Sequence, residues 1–289
     1  MRDALFIALQ RLLPQHFLSR RVLRLTRVRS PRVKNTLISA FVRRFRPDMD
    51  EAAQPDALGY PSFNEFFTRA LRAGVRPVDT NSQIVISPVD GTVSQIGSLA
   101  GSRILQAKGH DYTLEDLLSA PSSASNWPER FRGGGFATLY LAPYNYHRIH
   151  MPMNGTLRAA WYVPGRLFSV NAATAASVRN LFARNERVVC IFEEGPALFA
   201  MVLVGALFVG SMTTVWHGDI TPRRGRRRTD LPVDRSLRSP LSLRKAAEMG
   251  RFNMGSTVIL LIPPGFADWL PGVAAGSRVR MGEALARIR

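Results

Sequence analysis

Beyond about Val75, apolar residues come in short runs cut by Gly, Pro, Asn and Asp, and that texture limits what the body of the chain can become. The runs include Ile84–Ile86, Thr92–Ile96, Phe136–Leu141, Thr156–Val163, Val188–Phe192 and Val258–Ile262. Short apolar runs bounded by turn residues read as strands. Asp90-Gly91 and Asn154-Gly155 have the composition of hairpin turns. Residues 1–75 read differently. Val33–Phe45 is periodic at helical spacing and is ended by Pro47. Phe63–Leu71 reads as a short helix, with Ser62 as N-cap and Glu65 three residues on. The expected fold class is therefore α+β: a β-rich domain over 76–289 carrying a helical N-terminal region over 1–75. No internal repeat is visible.

With 289 residues, 46% hydrophobic and 21% charged, the chain can bury a sizeable core, which excludes disorder for most of its length. The lone cysteine, Cys190, excludes a disulfide scaffold; in its apolar stretch it reads as a buried small hydrophobe. His16, His110, His147, His150 and His217 form no zinc pattern, so no metal site is expected. Charge is the unusual property: 39 basic against 21 acidic residues, a net +18. Such a balance suits an anionic partner, a membrane surface ahead of nucleic acid. Only Lys34, Lys108 and Lys245 are lysines, and an arginine bias this strong also fits codon composition.

Met1–Leu13 is not a signal peptide: Gln10 and Arg11 break its apolar run and no small-residue cleavage site follows. It is too short to span a bilayer. Leu5, Phe6, Leu9, Leu12 and Leu13 fall on one helical face, Pro14 ends the segment, and arginines interleaved with apolar residues follow from Arg20 to Arg32. Two readings fit: a helix lying on a membrane surface, or a helical hairpin packed on the protein's own core. Gly195–Gly218 has no charged side chain, counting His217 as neutral, and is long enough to span, but Gly205 and Gly210 interrupt it. It reads as two buried strands joined near Gly205. Pro222–Arg244, with Arg223, Arg224, Arg226, Arg227 and Arg228, reads as a basic, strand-poor, mobile loop facing solvent or lipid. A peripheral membrane location, on the cytoplasmic side, fits this chain better than an integral one.

Three segments carry candidate chemistry. Ser87-Pro88-Val89-Asp90-Gly91 sets an acid on a tight turn. Tyr146-His147-Arg148-Ile149-His150-Met151-Pro152 sets two histidines three residues apart, on one helical face or on opposite faces of a strand. Met254-Gly255-Ser256-Thr257 leads into an apolar strand, and Gly before Ser permits a strained backbone from which a hydroxyl can attack its own preceding carbonyl. Together they supply Ser, His and Asp, the parts of a nucleophilic triad, although spacing alone does not show that they meet. The absence of a G-x-S-x-G elbow argues against an α/β-hydrolase.

At these residues the sequence resembles the bacterial phosphatidylserine decarboxylase proenzymes. The resemblance includes Phe63-Asn64-Glu65-Phe66-Phe67 with Arg69, Arg76-Pro77-Val78-Asp79, Pro88-Val89-Asp90-Gly91 and Gln106-Ala107-Lys108-Gly109-His110. It continues through Tyr146–Pro152, Val163-Pro164-Gly165, Phe168-Ser169-Val170-Asn171, Leu181–Arg187 and Glu248-Met249-Gly250-Arg251-Phe252 to Gly255-Ser256-Thr257. Met254 stands where the family often has Leu, a mild departure.

The resemblance implies self-cleavage between Gly255 and Ser256, with Ser256 attacking the Gly255 carbonyl, His150 as general base and Asp90 orienting it. Elimination from the resulting ester leaves dehydroalanine, which hydrolyses to a pyruvoyl group and ammonia. The products would be a β chain, 1–255, and a 34-residue α chain, 256–289, blocked by pyruvoyl. The pyruvoyl ketone, the covalent cofactor, would form a Schiff base with phosphatidylserine, and His147 would protonate the carbanion left by CO₂; the residues alone also allow the two histidines to exchange roles. The family suggests a homodimer of αβ units, without nucleic acid. Two other readings fit the residues: a pyruvoyl decarboxylase of a soluble amino acid, and a non-catalytic basic module binding membrane or RNA.

Overall fold

The computed structural model describes residues 7, 9–107, 109–120, 126–195, 197–207, 211–221, 228–231 and 240–289. All six apolar runs are strands. A nine-stranded sheet runs through Gly155–Val163, Arg187–Glu194, Ala197–Val204, Thr257–Ile262, Gly135–Tyr140, Gly91–Ser98 and Arg278–Val279, every pairing antiparallel. Ala197–Val204 and Thr257–Ile262 are buried at every position, which is why they read as unbroken apolar runs and not as alternating ones. Alternate residues feed two separate cores. Val258, Leu260, Met201 and Leu203 face one; Ile259, Leu261, Ala200 and Val202 face the other.

A four-stranded sheet orders Gly218–Ile220, Met212–Thr214, Glu248–Phe252 and Arg148–His150, and a three-stranded one joins Ile84–Ile86, Ala284–Ile288 and Ala267–Trp269. This arrangement corrects the two hairpin expectations. Asp90-Gly91 and Asn154-Gly155 are corners where the chain leaves a small sheet for the large one. Their glycines serve close approach: a Cβ on Gly91 would meet the Tyr140 carbonyl oxygen at 2.4 Å, and one on Gly155 the Phe199 ring at 2.8 Å. In Gly195–Gly218, strands do lie on either side of Gly205, but in different sheets; Phe208, Val209 and Gly210 are outside the described residues. No helix among the described residues is long and apolar enough to cross a membrane. Of the basic 222–244 segment, 222–227 and 232–239 lie outside the described residues; Thr229–Asp230 and Ser242–Leu243 are short strands on the Gly155–Val163 edge.

The N-terminal helices are α1 (Gln15–Thr26), α2 (Pro31–Phe45) and α3 (Phe63–Phe67). Helix α1 buries Gln15, Ser19, Leu23 and Thr26, one face at helical spacing. Gln10 and Gln15 accept hydrogen bonds from the backbone N–H groups of Ser169 (2.7 Å) and Leu167 (2.9 Å). One face is thus core-packed. The other exposes Leu9, Leu12, Phe17 and Leu25 among exposed Arg20, Arg21 and Arg24. Helix α3 starts as expected, with Ser62 Oγ accepting from the Glu65 N–H at 3.2 Å. It ends at Phe67 and not at Leu71, because residues 70–72 pair with 51–53 through the Ala53 and Arg72 N–H groups. Phe41 of α2 packs edge-on against Phe63, Phe66 and Phe67.

Within the Leu181–Arg187 motif, Glu186 is fully buried, with Tyr162 donating to Oε2 at 3.0 Å. Burial pushes its pKa up from 4.5 to about 8. A carboxyl raised on folding stabilises the fold fully below its unfolded pKa and loses that contribution as pH rises through the folded one. We therefore expect the melting temperature to decline between about pH 4.5 and pH 8, and Glu186→Gln to flatten that decline. An identical pH profile for the variant would rule out Glu186 as its source.

Candidate active site

The register of the large sheet brings the distant segments together. Thr92 pairs with Tyr140, and Tyr140 with Thr257, so Gly91 and Ser256 begin neighbouring ends of strands two spacings apart, about 10 Å. The Glu248–Phe252 strand pairs with Arg148–His150 and then leads directly to Gly255. Asp90, the two histidines and the Gly-Ser junction therefore lie toward one end of the large sheet's central strands, beside the four-stranded sheet.

Ser256 is fully buried, and its Oγ has no hydrogen-bond partner among the described residues. Its carbonyl accepts from the Leu141 N–H at 2.9 Å. Gly255 is not in the left-handed region, and a Cβ there would make only ordinary contacts, 3.5 Å from His147 Nε2 and 3.5 Å from the Leu141 oxygen. Backbone strain at Gly255, expected from the sequence, is therefore not what marks the junction; a buried imidazole close beside the glycine is.

His147 lies in the loop just before its strand and is fully buried against Phe67, ring centroids 4.1 Å apart. Its Nδ1–H donates to the Asn145 carbonyl at 2.8 Å, which leaves Nε2 as the lone-pair nitrogen, without a partner among the described residues and 3.5 Å from where a Cβ on Gly255 would stand. Burial pushes its pKa down to about 3, with the Arg69 charge adding to the shift against the Asn145 bond. The ring is neutral in this chain.

His150 is held differently. Its Nδ1–H donates to the Ala246 carbonyl at 2.8 Å, and Nε2 lies 2.9 Å from the Tyr146 hydroxyl. Burial lowers its pKa, while raising that of Tyr146 to about 12. Asp90 does not hydrogen-bond to His150. Arg76 grips both Asp90 oxygens, Nε at 2.9 and 3.2 Å and Nη2 at 2.5 Å, and the Met281 N–H donates to Oδ1 at 2.9 Å. The expected orientation of His150 by Asp90 is thus indirect: the His150 N–H donates to Pro88 on the Asp90 turn, and the carboxylate acts on the ring through its charge.

Sequence reasoning passed over several residues of this site. Asn253 is buried and donates through Nδ2 to Ser211 Oγ (2.5 Å) and Thr213 Oγ1 (3.0 Å), and accepts from Asn64 (3.1 Å), fixing the lead-in to Gly255. Arg76, Phe67 and Tyr146 stood inside quoted motifs without roles. Cys190 is buried, as expected, and takes no part.

Comparison with known proteins identifies the family of the chain. A family profile described as phosphatidylserine decarboxylase matches residues 63–287, and a second, described as PSD, matches 5–46. Proteins named phosphatidylserine decarboxylase proenzyme are similar over nearly the full length. That of Bordetella pertussis is 50% identical, covering 99% of this chain and 95% of its own; that of Pseudomonas fluorescens is 48% identical, covering 99% and 98%. The proenzyme of Azotobacter vinelandii is 47% identical, with 99% and 98% covered. This is an α+β chain with an uncommitted serine hydroxyl and a neutral imidazole buried beside one Gly-Ser bond. It belongs to the phosphatidylserine decarboxylase family.

Proposed function

We propose that this chain is a proenzyme that cuts itself between Gly255 and Ser256 and then decarboxylates phosphatidylserine to phosphatidylethanolamine. The observation that carries the reading is the pair of unpartnered buried atoms at one peptide bond, Ser256 Oγ and His147 Nε2. Buried polar atoms ordinarily find partners, and two that do not, beside the bond the family cuts, suit a reaction site.

In processing, the Ser256 oxygen attacks the Gly255 carbonyl and the amide nitrogen leaves, giving an ester. Loss of the 1–255 carboxylate from that ester and hydrolysis then give pyruvoyl and ammonia. His150 serves as the base of this stage, with the Arg76-locked Asp90 supplying a fixed negative charge. The residues at the junction fit a pyruvoyl group: Ser256 has a free hydroxyl, and Leu141 already donates to the carbonyl that would adjoin the ketone. That group supplies a carbonyl for the substrate amine and an electron sink for the bond that breaks. His147 does the proton work of turnover. Its neutral Nε2 accepts a proton from the incoming substrate ammonium and returns it to Cα once CO₂ has left. A second reading, favoured by the same closeness to Gly255, makes His147 the base of cleavage as well.

The reaction brings a two-tailed anionic lipid to residues 1–75, which act as the membrane-associating region beside the catalytic body of 76–289. The support is the outer face of α1 and the turn before it, where Leu12 is 83% and Leu9 52% exposed beside Arg20, Arg21 and Arg24. Apolar side chains below and arginines at headgroup level suit a peripheral position on the cytoplasmic leaflet. Replacing Leu12 and Phe17 with Asp is expected to weaken sedimentation with anionic vesicles several-fold, while the Gln10 and Gln15 anchors keep the fold. Added salt should reproduce part of the loss, each arginine being worth about 1 kcal/mol near an anionic surface. Unchanged sedimentation would return this face to a purely structural role. A homodimer of αβ units rests on the resemblance alone and is read from native mass.

A further inference from the structure

Arg69 is the least explained charge in the molecule. It is 3% exposed, yet no carboxylate is bonded to it. Nη2 donates to the Tyr144 carbonyl at 3.2 Å; Nε and Nη1 have no partner among the described residues. Its guanidinium lies over the Phe66 ring, 5.8 Å from guanidinium carbon to centroid. Of the nearby acids, Asp90 and Glu51 are committed to Arg76, and Asp48 lies exposed on the cleft wall. A buried cation without a counter-ion costs several kcal/mol, and a chain that keeps one has a use for it.

Arg69 lines a cleft of about 320 Å³ that also takes in Asp90, Tyr144 and Tyr146, with five arginines against three carboxylates on its walls. It stands two residues after Phe67, whose ring packs on His147. We infer that Arg69 is the anion receptor of this cleft, and that its free Nε–H and Nη1–H hold the phosphodiester of the substrate. The inference rests on the decarboxylase reading for the substrate's identity. The substrate offers two anions, and chemistry separates them. Loss of CO₂ discharges the carboxylate, so a cation clamped to it would stabilise the ground state more than the transition state. The phosphodiester keeps its charge throughout and gives uniform binding. A guanidinium presents two parallel donors that match two phosphate oxygens. Tyr144, whose carbonyl is the present acceptor, is 46% exposed, on the segment that an entering phosphodiester displaces.

The test uses the uncut Ser256→Ala chain, in which binding needs no pyruvoyl and stands or falls apart from processing. Calorimetry with glycerophosphoethanolamine, a phosphodiester without a carboxylate, should show affinity reduced at least tenfold by Arg69→Met. Binding of free serine, a carboxylate without a phosphate, should be unchanged. Because the variant removes an uncompensated buried charge and keeps an unbranched side chain at the position, its melting temperature should hold or rise. In the chain with Ser256 intact, Arg69→Gln should raise KM for phosphatidylserine far more than it lowers kcat per cleaved molecule. Equal phosphodiester affinity with and without Arg69 would overturn the inference, as would a lowered melting temperature with affinity intact. Loss of serine binding alone would assign Arg69 to the carboxylate, and no phosphodiester binding to the Ser256→Ala chain would also contradict it.

Discussion

Ser256→Ala leaves the 32.1 kDa chain whole and without decarboxylase activity. The alanine removes the oxygen that would attack the Gly255 carbonyl and that the elimination would carry away as part of the Gly255 carboxylate. Thr257, the next hydroxyl in sequence, does not follow the Gly255 carbonyl directly and lies in the central strand, its backbone paired on both sides with Tyr140 and Val204. The loss is expected to be complete on a denaturing gel. Folding should be unaffected, because Ser256 Oγ makes no hydrogen bond whose removal would be felt. A Ser256→Ala chain that still separated into two at this junction would refute serine attack as the cleavage step.

His147→Ala and His150→Ala are expected to fail at different stages. His147 Nε2 is the ring atom directed at Gly255, and turnover needs it in every cycle. Its removal should leave appreciable cleavage and lower CO₂ release per cleaved molecule by about 10²–10⁴, the range for a general acid or base. His150 belongs to the Asp90, Tyr146 and Ala246 surroundings, so its replacement should stop the first stage and leave little cleaved protein to assay. Fraction cleaved by gel, alongside CO₂ release per cleaved molecule, separates the two. Uncut His147→Ala beside cleaved but inactive His150→Ala would exchange the roles. Full activity per molecule in both would remove the pair from the mechanism.

What could be read before folding was local. Ile84–Ile86, Val188–Phe192 and Val258–Ile262 announced themselves because strands buried on both faces need unbroken apolar sequence. Ser62 announced the start of α3 because an N-cap and its N3 partner lie three residues apart. The three chemical segments were visible as residue types in a pattern, and the sheet register joined them. Contacts between distant parts of the chain left no such trace. Asp90 takes Met281 as a partner from 191 residues away, and Asn253 takes Asn64 from 189. Asp90-Gly91 and Asn154-Gly155 misled because a corner between sheets and a hairpin ask for the same small, polar turn residues; only strand pairing separates them. Gly255 misled in another way. Its missing side chain suggested strain, whereas in the folded chain Gly255 lies outside the left-handed region, with His147 Nε2 3.5 Å from where a Cβ would stand.

The cut would fall just ahead of a strand held between two neighbours, and the segment after it also supplies Arg278–Val279 to the large sheet and Ala284–Ile288 to the three-stranded one. A cleaved molecule should therefore keep the native mass of its αβ unit and come apart only on denaturation. Intact mass spectrometry of the purified protein under denaturing conditions tests the central claim most directly. The account predicts two species: residues 1–255, and a 34-residue peptide beginning at position 256 that is lighter by one ammonia than the serine-initiated sequence and resists N-terminal degradation. A single species at 32.1 kDa, or a 256–289 peptide with an unmodified N-terminal serine, would contradict it.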